Sequence, residues 1–276
     1  VDRQDRRSSG DAQLYRRYLH LLGVPRRRPG LAALAELTSA HLRRIPFENV
    51  SKLYHRKDAE MRLPGLARFL DGIERHRFGG TCYSNNFHFH ELLAHLGYRV
   101  SLCGADMSAP DVHVVNTVNL AARQYLVDVG YGAPLLSPLP LDLGHDLEVR
   151  WGFERYVLKP RDAAGRSRVE LHRDGLLRHG YQVNPLPRRI QEFASIIAAS
   201  FDETATFMNA LLLVRFSPGR SLTLRNLTLS EAREGSSSVT QIPGPGALPA
   251  VVEQHFGIQQ GITRLALEGV DLTASV

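Results

Sequence analysis

The order of apolar and polar positions divides the chain into a helical first third and a strand-rich remainder. In Asp11-Ala12-Gln13-Leu14-Tyr15-Arg16-Arg17-Tyr18-Leu19-His20-Leu21-Leu22-Gly23, Leu14, Tyr18, Leu21 and Leu22 recur at helical spacing and a glycine closes the run. Leu31 to Leu42 repeats the pattern until Ile45-Pro46-Phe47 breaks it. Leu63 to Ile73 predicts a further helix, with Pro64 near its first turn. After Cys82, the residues Phe87, Leu92, Leu93 and Leu96 supply another apolar helical face, which Gly97 ends. Each stripe is read as core packing.

From Val112 onward the period changes. His113-Val114-Val115-Asn116-Thr117-Val118 and Gln124-Tyr125-Leu126-Val127-Asp128-Val129 alternate apolar and polar positions and predict two strands, with a hairpin loop at Asn119 to Arg123. Short strands follow at Tyr156–Leu158 and Val169–Leu171, then a helix at Arg188 to Ser200 and a second at Glu203 to Leu213. Ser221–Leu224 and Asn226–Leu229 read as a strand pair, and Pro249 to Phe256 as a last short helix. Between them Glu234 to Pro249 is rich in Gly, Ser and Pro and is expected to be a loop or mobile linker. No internal repeat is visible.

Composition narrows the class. At 276 residues, 43% hydrophobic and 22% charged, the chain has the balance of an ordinary globular protein of one large domain or two to three small ones. No apolar run approaches the roughly 20 residues that span a bilayer. The charged start, Val1-Asp2-Arg3-Gln4-Asp5-Arg6-Arg7, is not followed by the apolar core of a signal peptide. The expectation is a cytoplasmic protein with no membrane partner. The formal charge of +6 comes from arginine excess, densest at Arg26-Arg27-Arg28 and Arg188-Arg189. It reads as a solvated face, or as attraction to an anionic partner such as a phosphorylated cofactor or an acidic carrier protein. Nucleic acid is not expected, because no basic helix, zinc-ligand set or RNP-like aromatic strand accompanies the charge. Two cysteines, Cys82 and Cys103, rule out a disulfide framework and a cysteine-based zinc site, and no metal is expected. Cys103, after the strand-like Tyr98-Arg99-Val100-Ser101-Leu102, reads as a small buried hydrophobe.

Candidate chemistry centres on the other cysteine. Cys82 stands in Phe78-Gly79-Gly80-Thr81-Cys82-Tyr83-Ser84-Asn85-Asn86, at the expected start of a helix whose partial positive end favours a thiolate. Gly79-Gly80 permits a tight turn before it. Downstream lie His113 and Asp128. A thiol needs a base or cation to become a nucleophile, and an imidazole needs a carboxylate to fix its tautomer. The set therefore suggests acyl transfer. Each member also has an ordinary explanation: Cys82 as a buried hydrophobe, Asp128 as a strand end, and His113 as one of twelve histidines. His76, His88, His90 and His95 lie closer to Cys82 in sequence, and His88 and His95 read as packing or surface residues. Residue type and order leave both readings open.

Four motifs decide between them. Arg44-Ile45-Pro46-Phe47-Glu48-Asn49, Gly79-Gly80-Thr81-Cys82, Asp128-Val129-Gly130-Tyr131-Gly132 and Phe256-Gly257-Ile258 occur in the order found in arylamine N-acetyltransferases, and the chain resembles that family over nearly its whole length. The resemblance implies an α+β fold: an N-terminal helical bundle (1–97, carrying Cys82), a central β-barrel (98–190, carrying His113 and Asp128) and a C-terminal α/β lid (191–276). The first two parts would be similar to the cysteine-protease and transglutaminase core. It also implies that Cys82 accepts the acyl group, that His113 is its base and that Asp128 orients the imidazole. The reaction would be ping-pong, with acetyl-CoA or another acyl thioester as donor and a small amine, hydroxylamine or hydrazine as acceptor.

A tetrahedral oxyanion would form in both halves, and the Cys82 amide is its first candidate donor. Phe47, Tyr131 and Thr81 are candidate substrate contacts, with core packing the alternative for Phe47. CoA is implied by family and chemistry alone, since no Gly-rich phosphate loop occurs, and its contacts are unassigned. The chain departs from the family pattern twice: Phe78 stands where arginine normally precedes Gly-Gly, and Ser84 where glutamate is favoured. Losing both suggests rebuilt surroundings for Cys82, with a new partner for Glu48. With Gly104 to Pro110, the two changes also fit an amide synthase that takes a longer acyl group from a carrier protein. A thiol hydrolase and a noncatalytic binding module are the remaining readings.

Overall fold

The computed structural model describes residues 2–272. The expected helices lie where the apolar stripes place them: α1 (Asp2–Leu22), α2 (Leu31–Arg44), then, after strand β1 (Phe47–Glu48) and the short helix α3 (Val50–Tyr54), α4 (Leu66–His76) and α5 (Cys82–His95). Pro64 lies just before α4, and Gly65 takes the N-cap. Their stripes meet in one core of Tyr18, Leu22, Leu34, Leu70, Phe89, Leu92 and Leu93. Each such side chain contributes roughly 1.5–3 kcal/mol when taken fully out of water.

An antiparallel sheet of eight strands packs on this layer. It comprises β2 (Arg99–Asp106), β3 (His113–Leu120), β4 (Arg123–Val127), β5 (Leu139–Pro140), β6 (Leu147–Trp151), β7 (Glu154–Lys159), β8 (Ser167–Arg173) and β9 (Leu176–Pro187). Their spatial order is β5-β4-β3-β2-β9-β8-β7-β6. Val118 and Val127 join the helical core from one face. Val115, Leu126, Tyr156, Leu158 and Tyr181 build a second core on the other. The hairpin between β3 and β4 closes at Leu120↔Arg123, with Ala121 at positive φ.

The last third departs from the expected pattern in three places. The helix expected at Arg188 to Ser200 begins as a 3-10 turn, Ile190–Phe193, because β9 runs on to Pro187, and only α6 (Ala194–Ala199) is α-helical. The helix expected at Glu203 to Leu213 is a 3-10 turn, Thr206–Met208, followed by strand β10 (Leu212–Ser217). Tertiary pairing overrides local preference there: β10 lies between β1 and β11 (Arg220–Arg225), and the Asn49 side chain accepts from the Leu212 amide. The expected linker at Glu234 to Pro249 contains strand β13 (Ser236–Gln241), paired with β12 (Thr228–Arg233) across a turn with Gly235 at positive φ. Its Ser- and Thr-rich residues are exposed at every position, as suits an outer edge strand. Helices α7 (Leu248–Phe256) and α8 (Gln260–Leu267) pack with α3 on this five-stranded sheet through Leu53, Leu213, Leu224, Val252, Phe256 and Ile262.

Among the described residues no helix is long and apolar enough to cross a membrane.

Candidate active site

Two of the sequence motifs are zipped together under Cys82. Helix α4 ends with Arg77 in the left-handed region, and the chain turns back across β1. Gly79 lies so close to that strand that an added Cβ would come within 1.8 Å of the Pro46 carbonyl oxygen. Gly80 at φ +133 forms a bridge to Phe47, and its carbonyl accepts from the Glu48 amide. These are the positions where glycine is required. Asn85 donates to the same Gly80 carbonyl at 2.8 Å and fastens the loop to the helix. Glu48, fully buried, accepts from the Gly79 amide at 3.0 Å and the Ser51 amide at 2.8 Å. Burial raises its carboxyl above the ordinary value, although these hydrogen bonds pull the other way.

This construction places Cys82 as the first residue of α5, with Thr81 in extended conformation as an N-cap that makes no side-chain capping bond. The first amides of α5 thus lack the usual side-chain acceptor. The Cys82 thiol donates weakly to the Val112 carbonyl at 3.8 Å, which brings it to the start of β3. His113 is the first residue of β3 and Asp128 directly follows β4, so the hairpin carries both to the same end of the strand pair. The His113 Nε2 to Asp128 Oδ2 distance is 2.8 Å. All three side chains are buried. Burial alone would lower the imidazolium pKa, but the Asp128 charge and hydrogen bond, with a smaller contribution from Cys82, raise it to about 10. Burial would raise the Asp128 carboxyl, and His113, Asn86 and the Gly130 amide bring it below the ordinary range.

Asn86 was not singled out by the sequence, yet it holds the arrangement together. Its amide donates to Asp128 Oδ1 at 2.8 Å and to the Val114 carbonyl at 2.7 Å, while its oxygen accepts from the Val129 amide at 3.0 Å. It stands one helical turn after Cys82, so one helix face carries both the thiol and the clamp on the carboxylate. The available signal was Ser84-Asn85-Asn86 inside a helix: these residues compete with helical backbone bonds and are retained when a tertiary partner takes them. Gly130 completes the fit, since a Cβ there would come 2.6 Å from Asn86 Nδ2 and 2.7 Å from Cys82 Cα.

The other expected residues divide. Tyr131 stands beside the imidazole, 5.7 Å between ring centroids, with its hydroxyl 2.8 Å from His179 Nδ1. Tyr181, not anticipated, packs closer at 4.8 Å. Thr81 lies beside Cys82 and lines a cleft running toward Lys52 and Arg62. Phe47 is buried in the helical core, edge-on to Phe207 at 5.8 Å, in the packing position the sequence offered as its alternative. His88 is buried and stacked on Phe69, and His95 is stacked on Tyr15, as packing residues. Cys103 is fully buried, and burial raises its pKa. Among the described residues no group of three or more His, Cys, Asp or Glu side chains is placed to hold a metal ion.

Comparison with known proteins gives the same direction. A family model described as N-acetyltransferase matches residues 30–264. The arylamine N-acetyltransferase of Mycolicibacterium smegmatis is 27% identical over 272 residues, covering 94% of this chain and 95% of that protein. The solved structure of the arylamine N-acetyltransferase from Mycobacterium abscessus superposes with a TM-score of 0.81 at 22% identity, over 97% of both chains. That of the Mycobacterium marinum enzyme in complex with CoA gives 0.77 at 23% identity, over 92% of this chain and 98% of the other.

Proposed function

The chain belongs to the arylamine N-acetyltransferase family, and on that footing we propose that it moves an acyl group from a CoA thioester to an amine through an acyl-cysteine on Cys82. Acetyl is the simplest such group, and an arylamine, hydroxylamine or hydrazine the acceptor. The observation that supports this reading is the buried His113–Asp128 pair, its carboxylate fixed by Asn86 and the Gly130 amide, with the Cys82 thiol at the carbonyl of Val112 next to His113.

In the first half-reaction the Cys82 sulfur attacks the thioester carbonyl, and the carbonyl electrons move onto oxygen. The resulting oxyanion is met by amides of the first turn of α5, that of Cys82 first among them. Collapse breaks the bond to CoA, whose sulfur takes the proton from the His113 imidazolium. In the second half the amine attacks the acyl-cysteine, His113 accepts the amine proton, and collapse releases the amide and restores the starting pair. Asp128 holds the imidazole in the tautomer that presents Nδ1 to the sulfur. Tyr131 forms a wall for the acceptor beside the imidazole, Thr81 borders the reacting sulfur, and Phe47 supports Tyr131 from behind, its ring lying against Gly132.

In this reading the eight-stranded sheet is the expected barrel, and the part after about residue 190 is the lid. The core is of cysteine-protease and transglutaminase type, with the thiol on a helix and the imidazole and carboxylate on neighbouring strands. A second reading, an amide synthase fed by an acyl carrier protein, is favoured by the cleft that Phe78 and Ser84 line beside Cys82.

The test is intact mass after brief mixing with acetyl-CoA, with peptide mapping, then addition of an aniline or hydrazide. A single acetyl adduct on Cys82 that vanishes with the amine is expected. No adduct, with Cys82 still alkylated by iodoacetamide far faster than Cys103, would turn the reading to another acyl thioester. Equal, slow labelling of both cysteines would remove the catalytic reading.

A further inference from the structure

A cleft of about 200 Å³ lies beside the cysteine loop, walled by α3, α4, the start of α5 and the end of α6. Neither Cys82 nor His113 lines it. Its charge is one-sided: Lys52, Arg62, Arg68 and Arg75 line it with one carboxylate, Asp71. That carboxylate already accepts from Arg17 at 2.6 Å, and Arg68 is paired with Glu60 at 2.9 Å. Among the described residues none of Lys52, Arg62 and Arg75 has a carboxylate within ion-pair distance.

Two of these cations are gathered on one ring. The Lys52 ammonium lies 4.1 Å from the centre of Phe201, and the Arg62 guanidinium carbon 5.8 Å from it. Lys52 is only 8% exposed, and its ammonium donates to the neutral Ser200 hydroxyl at 2.7 Å. Burial lowers its pKa to about 8. A buried cation beside a second cation is costly to hold without an anion, and a bound anion would offset that cost.

The neighbouring helix supplies neutral donors. Helix α5 runs for 14 residues and begins without a side-chain cap, so its first amides lack the usual acceptor. Thr81 and Ser84, at that end of the helix, line the cleft. An uncapped helix N-terminus favours an anion, and a phosphate is well matched to it. Three cations without a carboxylate suit a dianion better than a monocarboxylate. The volume also exceeds the roughly 150 Å³ that accommodates a benzene ring, which leaves room for a small organic body.

We propose that this cleft binds a phosphoryl group, as inorganic phosphate or as a small phosphate monoester, and that its occupation weakens Cys82 as a nucleophile. Thr81 and Tyr83 flank Cys82 in the chain and both line the cleft. Negative charge placed against them opposes a thiolate and offsets the Lys52 ammonium. The weakening rests on Cys82 being the reactive thiol; the binding does not. Calorimetry measures inorganic phosphate, phenyl phosphate and acetate on the whole protein, native and as Lys52→Met and Arg62→Gln. Alkylation of Cys82 by iodoacetamide, located by peptide mapping, is timed with and without saturating ligand.

The expected result is binding of a phosphoryl ligand that weakens about tenfold or more in each variant. Saturation should slow alkylation of Cys82 in the native protein by about threefold or more. Tighter binding of phenyl phosphate would identify the monoester as the ligand, and tighter inorganic phosphate the free ion. Arg62 is exposed, so Arg62→Gln carries the test alone if Lys52→Met does not fold. Absence of phosphate binding, unchanged affinity in Arg62→Gln, acetate binding as tightly as phosphate, or unchanged alkylation at saturation each overturns the proposal. So does competition between CoA and phosphate, which would assign the cations to the donor. Phosphate binding that depends on Arg62, with Cys82 labelling no faster than Cys103 before ligand is added, would leave the anion site standing and remove the acyl-cysteine reading.

Discussion

Asn86→Ala is the most informative single change because it leaves Cys82, His113 and Asp128 chemically intact. Four interactions vanish together: the charge-assisted bond to Asp128 Oδ1, the bond to the Val114 carbonyl, the bond from the Val129 amide and a longer one of 3.5 Å from the Asn116 side chain. A hydrogen bond to a charged group contributes about 1.5–3 kcal/mol, and each orphaned buried backbone group costs about 1–3 kcal/mol. Water entering the vacated space softens the total, so a loss of about 4 kcal/mol is expected. Against a usual stability of about 5–15 kcal/mol this leaves a marginal fold, and measurement belongs at low temperature. Urea unfolding gives the first readout. The second is the rate of Cys82 acylation under conditions where the variant is folded, which should fall about 10- to 100-fold as Asp128 loses its fixed orientation. A stability loss below about 1 kcal/mol together with unchanged acylation would refute the claim that Asn86 positions the carboxylate.

Gly130→Ala puts a methyl group 2.7 Å from Cys82 Cα and 2.6 Å from Asn86 Nδ2; overpacking here should cost about 3 kcal/mol or more and abolish acylation, measured by the same urea and mass assays. In Asp128→Asn burial becomes the dominant influence on His113, and the imidazolium pKa should fall from about 10 to below 6.5, followed by ring-nitrogen NMR titration. The sign for stability follows: in the native protein the His113 contribution is full below about pH 6.5 and is lost as pH rises through about 10. In the variant stability should instead fall as pH drops through the ordinary histidine range. Glu48→Gln removes a carboxyl whose folded pKa is raised by burial. The native protein should therefore lose stability relative to this variant as pH rises above 4.5, in urea midpoints taken from acid to neutral pH.

Much of this was legible in the sequence where a signal is local. The helices α1, α2, α4, α5 and α7 follow from apolar spacing, and β3 and β4 from alternation. Elements created by distant partners were not. Strand β1 is two residues long and exists because β10 arrives beside it, and α8, short and with Gly261 and Thr263 in its first half, packs on the sheet through Ile262 and Ala266. The misread β13 has a linker's composition and owes its strand to the tight turn at Gly235. At the site, residue type and motif order nominated Cys82, His113 and Asp128, which the fold brings together. Asn86 carries no chemical signature of its own. Its importance comes from which buried groups face it, and that is a property of the packing.

The two departures at the cysteine motif have one physical explanation. Phe78 is buried in the core formed by α3, α7 and α8, with Tyr54, His55 and His76 around its ring. An arginine would have to bring its charge into that apolar setting. Exchanging a buried ion pair for packed hydrophobic groups is often neutral, whereas leaving one charge behind is expensive. Glu48 is fully buried, and backbone supplies its partners: the Gly79 and Ser51 amides donate to its two oxygens. That solution requires Gly79 to lie against Pro46, so the buried carboxylate helps to fix the loop carrying Cys82. The compensation is incomplete, which is why burial still raises the Glu48 pKa. Ser84, the second departure, lines a cleft with Lys52, Arg62, Arg68 and Arg75, where its hydroxyl is neutral. Together the substitutions keep the backbone that presents the thiol while an aromatic ring fills the space beside Gly79.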